Sequence, residues 1–230
     1  RISMALSFNP QDMPVIGVDD HLPSVARPAL ATAALRERFR APPRWVPETT
    51  VEPRFIERTP TRASVLVPIV DRAEPTVLLT QRSDHLSDHP GQIAFPGGRA
   101  EETDADATAT ALREAQEEIG LPASQVDVLG AMPLYTTGTG FLVTPVVAIV
   151  QPAYSMRADP FEVAEVFEVP LALLMNPSHH RHHAVELRGV RREFLSIPYQ
   201  GVDAQGHPRR YFVWGATAAM LRNLYRFLSA

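Results

Sequence analysis

Cysteine is absent from the 230 residues, which excludes disulfides, thiolate nucleophiles and cysteine-ligated zinc together. Positive charge is not in excess either. A formal net charge of -4 gives no overall electrostatic reason to expect nucleic acid, whose backbone is met with Lys and Arg, although a local basic pocket remains compatible. Long apolar runs are also missing. No stretch approaches the ~20 apolar residues of a membrane span, and the opening "RISMALSFNPQDMPVIGVDD" is broken by prolines and acids, unlike a signal peptide. We therefore expect a soluble, cytoplasmic protein with neither a nucleic-acid nor a membrane partner, and Met4 as its natural start. The residues that are present, 45% hydrophobic and 21% charged, suffice for one substantial globular domain with appendages.

Residues 1–60 carry many prolines and one expected helix, from Arg27 to Arg40, that stops before Pro42. They read as an N-terminal appendage whose ordinary role is packing, with 61–230 as the main domain. From Ala63 the character changes to short runs rich in Val, Ile and Thr: "ASVLVPIV", "TVLLTQR" and "QIAF" read as strands. Further strands are expected in "QVDVLGAM", "FLVTPVVAIV", "EVFEVP", "FLSIPYQG" and "RRYFVWG". A closing helix, "ATAAMLRNLYRFLSA", places Met220, Leu221, Leu224 and Leu228 on one apolar face. Strands interrupted by one central helix and ended by another make an α+β or layered α/β/α sandwich.

Glu114, Glu117 and Glu118 fall in that central helix, which is expected to start between Thr103 and Asp106 and to end near Gly120. At 100° per residue they sit at roughly 0°, 300° and 40° about the axis, so all three point one way. Like charges four apart oppose each other by roughly 0.2–0.5 kcal/mol per pair. Arg113 can reach Glu117 one turn on, but one guanidinium cannot neutralise three carboxylates. A solvated acidic face is the ordinary outcome of such a cluster. The functional outcome is a divalent cation, since hard ions such as Mg²⁺ and Mn²⁺ accept carboxylate oxygens while keeping waters and substrate phosphates. The Pro96-Gly97-Gly98 turn just upstream favours the cation, because paired glycines let backbone atoms approach a ligand closely.

These residues resemble a known family. "REAQEEIGL", Arg113 to Leu121, is similar to the second half of the Nudix box, Arg-Glu-apolar-x-Glu-Glu-x-Gly-apolar, at every specified position, and "FPGG" supplies its glycine start. Arg113 follows Gly98 by fifteen residues where the usual box has fourteen, and Ala105 stands where the usual midway Glu would fall. The coenzyme A pyrophosphatase branch shares such a longer loop, with acids near Glu101, Asp104 and Asp106. "LLTQRSDHLSDHPGQIAFPGG", Leu78 to Gly98, resembles that branch's own signature except at Ser87, which stands in place of an arginine.

The resemblance implies a Nudix fold with a mixed β-sheet over 61–230 and metal-dependent hydrolysis of the diphosphate of coenzyme A or its derivatives. The products would be 4′-phosphopantetheine, or its acyl form, and adenosine 3′,5′-bisphosphate. It further implies Glu114, Glu117 and Glu118 as ligands of Mg²⁺ or Mn²⁺, with the Gly98 carbonyl as a further candidate and Arg113 orienting Glu117. Glu117 and Glu162 are the candidates for general base, with Glu165 behind them. Arg82 and Arg99 are the expected partners of substrate phosphate, beside Gly97 and Gly98. A homodimer is a family expectation. The rival readings are another nucleoside diphosphate substrate, such as ADP-ribose or NADH, and a Nudix module that binds nucleotides without cleaving them; the intact Glu114, Glu117, Glu118 set argues against the latter.

Several features are set aside. "HHRHH", His179 to His183, follows Asn176-Pro177-Ser178 and reads as an exposed loop rather than a zinc site. His85 and His89 are substrate neighbours at most. Trp214 is expected in the core, Thr217 as a helix cap, and Arg191-Arg192 and Arg209-Arg210 as solvated strand ends.

Overall fold

The computed structural model describes residues 9–53, 59–84, 91–187 and 189–230. Met4, His85, Ser87 and His89 lie outside the described residues. Strand β1 (Val15–Val18) and helix α1 (Thr32–Arg40) come first, followed by β2 (Thr61–Val70), β3 (Thr76–Arg82), β4 (Ile93–Ala94) and β5 (Gly97–Arg99). Helix α2 (Ala107–Ile119) leads to β6 (Val126–Ala131), β7 (Tyr135–Thr136), β8 (Phe141–Val150) and β9 (Val163–Pro170). The chain closes with α3 (Leu171–Leu174), β10 (Arg181–Leu187), β11 (Val190–Val202), β12 (Pro208–Trp214) and α4 (Gly215–Ser229).

A mixed eight-stranded sheet runs β4-β3-β2-β8-β6, with β5, β7 and β9 attached to β2, β8 and β3. Strands β2 and β8 lie parallel along their full length, from Thr61 opposite Phe141 to Val70 opposite Val150. Parallel neighbours need a long crossover, and the segment carrying α2 supplies it. Both faces of these strands are covered, which explains why their sequences are apolar runs rather than alternations. On one face Leu66, Val70, Leu78 and Val146 meet Ala111, Ala115 and Ile119 of α2. On the other, Val67, Ile69, Leu79 and Val147 join a core with Leu221 and Leu224 of α4 and with Ile197, Tyr211 and Val213. The last three belong to a second, antiparallel sheet of order β1-β10-β11-β12. The architecture is the expected α/β/α sandwich around a mixed sheet, with this four-stranded sheet added beside α4.

The N-terminal segment contributes Val25, Leu30 and Leu35 to the same core. Its expected helix is divided: Arg27–Leu30 form a 3₁₀ turn, Ala31 is extended, and the α-helix begins at Thr32. Two further expectations are corrected. The "HHRHH" run is not an exposed loop: most of it enters β10, and His180 and His183 are buried. His183 is held between the Met13 carbonyl at 3.0 Å and Ser196 Oγ at 2.7 Å. Thr217 does not cap α4; Trp214 occupies the cap position, and Thr217 Oγ1 donates to the Ile93 carbonyl. Arg209 is an exposed strand-end residue as expected, although its guanidinium also pairs with Glu165 at 2.9 Å and donates to Gln81 at 2.7 Å.

Candidate active site

Helix α2 starts and stops where its sequence dictates. The Asp106 side chain accepts from the Ala109 amide at 2.8 Å, and Gly120 closes the helix in the left-handed conformation (φ 67°). Ala111 and Ala115 on the inner face let the helix lie close to the sheet. That proximity buries Glu118 to 8% exposure, while Glu117 one residue before remains 58% exposed. Beneath the helix, the expected glycine turn is instead the short strand β5, paired with Ala63 to Val65 of β2. Its glycines are needed for close approach: a Cβ on Gly97 would stand 2.4 Å from the Ser64 carbonyl oxygen, and one on Gly98 would stand 2.5 Å from the Glu114 carboxylate. The Gly97 amide donates to Glu118 Oε2 at 3.2 Å, so β5 reads the helix's acids directly.

Arg113 organises the rest. Its Nε and Nη2 donate to the two oxygens of Asp104, both at 3.0 Å, and Nη2 also donates to the Arg99 carbonyl at 2.9 Å. Nη1 donates to Glu114 at 3.0 Å and to Glu117 at 2.9 Å. The Arg113 hydrogen bonds, aided by the Glu101 amide and the Thr110 hydroxyl, hold the Asp104 carboxyl well below the usual range. Asp104 is the residue that sequence reasoning undervalued. Its signal was present, as one acid of the lengthened loop, but nothing local distinguished it from Glu101 or Asp106.

The loop before β9 is pinned to the end of α2. The Arg157 amide donates to the Ile119 carbonyl and the Asp159 amide to the Glu118 carbonyl, each at 2.8 Å, while the Ser83 amide donates to the Glu162 carbonyl at 2.9 Å. Glu162 is thereby drawn into the field of the helix acids. Burial pushes the Glu118 carboxyl up to about 7, opposed by the Gly97 hydrogen bond and Arg82 and reinforced by the charges of Glu114 and Glu162. Burial raises Glu114 too, against its bond to Arg113.

The structure therefore assembles Gly97, Gly98, Arg113, Glu114, Glu117 and Glu118, with Arg82 and Glu162 at the margin. Arg99 contributes its carbonyl to Arg113, while its guanidinium lies 5.4 Å from the centre of the Phe141 ring. Glu165 is not brought to these residues: it lies on the other face of the sheet, where it accepts from Tyr211 Oη at 2.7 Å and pairs with Arg209.

Among the described residues no three acidic or imidazole groups converge into a closed cation cage. The donor set nevertheless suits a hard divalent ion. It includes Glu114 and Glu118, whose proton affinity is raised by burial and then by neighbouring acids, packed against a glycine whose missing Cβ leaves the Glu114 oxygens their room.

A family model of the NUDIX domain matches residues 60–188. An Escherichia coli (strain K12) protein named uncharacterized Nudix hydrolase NudL is 46% identical over 165 residues, covering 71% of this chain and 80% of that protein. The protein of that name from Shigella boydii serotype 18 is 45% identical over the same length and shares. Among solved structures, a C. elegans Ap4A hydrolase in a binary complex is 20% identical, with a TM-score of 0.43 over 51% of this chain and 85% of that one. The Nudix hydrolase RenU of M. smegmatis is 25% identical, with a TM-score of 0.40 over 51% and 73%.

Proposed function

The chain belongs to the NUDIX domain family and is a pyrophosphohydrolase of nucleoside diphosphate derivatives; on that premise we propose that its substrate is coenzyme A or an acyl derivative. The observation that carries this choice is the run from Leu78 to Gly98, whose "LLTQRS" and "FPGG" portions match the coenzyme A branch immediately ahead of the box. In the reaction a water oxygen bonds to one phosphorus and the bridging P–O bond breaks. The halves leave as 4′-phosphopantetheine, or its acyl form, and adenosine 3′,5′-bisphosphate.

Glu114, Glu117, Glu118 and the Gly98 carbonyl would hold Mg²⁺ or Mn²⁺. Such an ion offsets charge on the phosphoryl oxygens and makes a water more acidic. Arg113, clamped by Asp104, keeps Glu114 and Glu117 in place and is a positioning residue. Gly97 and Gly98, whose bare backbone lets β5 lie against β2 and Glu114, would meet the diphosphate through main-chain atoms, and Arg82, whose charge already reaches Glu118, would meet a phosphate oxygen, with Arg99 beyond it. Glu162 is our choice to accept the attacking water's proton, because Glu117 is engaged by Arg113 whereas Glu162 is exposed on a loop anchored to α2. Residues 61–230 form the catalytic domain in this reading, and a homodimer accompanies it; a monomeric mass by light scattering would remove the dimer.

The substrate is tested with a panel of coenzyme A, acetyl coenzyme A, ADP-ribose and NADH, each with Mg²⁺ or Mn²⁺ in ¹⁸O water, read by mass spectrometry. Coenzyme A species should be cleaved best, and the labelled fragment identifies the attacked phosphorus. Cleavage confined to ADP-ribose or NADH would overturn the substrate. Glu162→Gln should lower kcat about a hundredfold with little change in KM; an unchanged kcat would return the base role to Glu117.

A further inference from the structure

A concavity lies outside the carboxylate site. It has a volume of about 510 Å³ and is lined by Leu173, His179, Arg181, Pro198, Gln200 and Arg210. Strand register fixes its location. Pro198 pairs with Phe212, Gln200 with Arg210, and Arg181 with Ser196, so the residues contributed by β10, β11 and β12 share one face of the second sheet. The alternate residues Ile197, Tyr199, Tyr211 and Val213 turn inward to the core shared with the main sheet. The cavity thus opens on the outer face of the second sheet, and both sheets separate it from α2.

Its lining has one sign of charge. None of the described lining residues is acidic, and among the described residues neither Arg181 nor Arg210 has a carboxylate within ion-pair distance. Their neighbours on the same sheet differ: Arg191 pairs with Glu193 at 2.9 Å and Arg209 with Glu165 at 2.9 Å. Arg210 sits 5.8 Å from the Phe212 ring centre, a contact that restrains its plane and leaves the N–H fork for another partner. The chain contains no lysine, so every anion it recognises through a side-chain cation other than histidine meets a guanidinium fork, the group that binds phosphate in bidentate fashion. Leu173 and Pro198 add apolar wall, and the volume falls in the range of small-ligand sites.

We propose that this cavity is a second ligand site, taking a small phosphorylated anion of nucleotide size, held by Arg181, Arg210 and Gln200. It does not rest on the coenzyme A reading, and either stands if the other fails.

The test is calorimetric titration of the full chain in EDTA, which leaves the carboxylate helix without a cation, using AMP and inorganic phosphate as separate probes. AMP should bind saturably at one site per chain, and Arg181→Gln and Arg210→Gln should each weaken it about tenfold. Glu117→Gln should leave the titration unchanged. Equal affinity for phosphate and AMP, lost in the arginine variants, would assign free phosphate as the ligand. Absence of binding by either probe up to about 1 mM, or binding indifferent to both arginine variants while their urea unfolding matches the wild type, would overturn the site.

Discussion

Around Arg222 on α4, a side chain 3% exposed, cations and acids are matched: the guanidinium meets Asp19 at 3.0 Å and Glu48 at 2.8 Å, Arg226 meets Glu48 at 2.6 Å, and the His182 ring hydrogen-bonds Asp19 at 2.7 Å. On α2 the balance is broken, with Asp104, Glu114, Glu117, Glu118 and Glu162 grouped around Arg113 and Arg82. The carboxyls respond in opposite directions. Burial would raise both Asp19 and Glu48, yet the hydrogen bond from His182 and the charge of Arg222 hold Asp19 below its ordinary range, and Arg222 with Arg226 does the same for Glu48. Glu114 and Glu118 stay raised because burial outweighs Arg113 at the first and the Gly97 hydrogen bond with Arg82 at the second. A balanced cluster is satisfied within the fold and costly to break, whereas a surplus of one sign marks a candidate for binding.

The sharpest way to break this contrast is to remove carboxylates from each side. Glu117→Gln or Glu118→Gln should reduce kcat by about three orders of magnitude while shifting the melting temperature by no more than about 2 °C. Wild-type turnover in the purified double variant would take these residues out of the chemistry. At the balanced cluster the effects reverse. Arg222→Ala leaves Asp19 and Glu48 buried without their cation and should cost about 3–5 kcal/mol in urea unfolding, with kcat unchanged below the transition.

Histidine sharpens the comparison through pH. His180 Nδ1 accepts from Arg222 Nη1 at 2.9 Å and Nε2 donates to the Leu174 carbonyl at 2.7 Å, an arrangement only the neutral ring can satisfy. Burial, with the adjacent Arg222 charge, pushes its pKa down to about 4, against the bond to Leu174. Between the ordinary value near 6.5 and about 4 the unfolded chain binds a proton that the native state refuses, so stability falls as pH drops through that window. The full loss is on the order of 3 kcal/mol. Urea unfolding at pH 7 and pH 5 should show about 2 kcal/mol of it in the wild type and none in His180→Gln. The smallest effect belongs to Gly98→Ala, whose Cβ would displace the Glu114 carboxylate and lower kcat roughly ten- to a hundredfold. An unchanged kcat there would show that Glu114 tolerates movement.

Legibility followed the range of the forces involved. Asp106 and Gly120 bound α2 as expected because capping acts within four residues. The apolar periods placed the strands, and Met220, Leu221, Leu224 and Leu228 are buried as their spacing required. The "HHRHH" run misled because its polarity suggests solvent, while its burial depends on Arg222, some forty residues away. Glycines 97 and 98 suggested a turn, yet they serve a strand squeezed between β2 and the Glu114 carboxylate.

By itself the sequence determined the carboxylate helix, the direction in which Glu114, Glu117 and Glu118 point, and the family, because a helix repeats at a constant angle and a motif is read along one segment. Only the tertiary structure decided which remote residues join that face. The pairing of β9 with β3, irregular between Gln81 and Arg82, sends Glu165 to Arg209 on the far side, while the loop bonded to the end of α2 keeps Glu162 with the helix acids. A strand's side chains alternate between faces, so register decides the side on which each carboxylate emerges, and register is set by packing between segments distant along the chain.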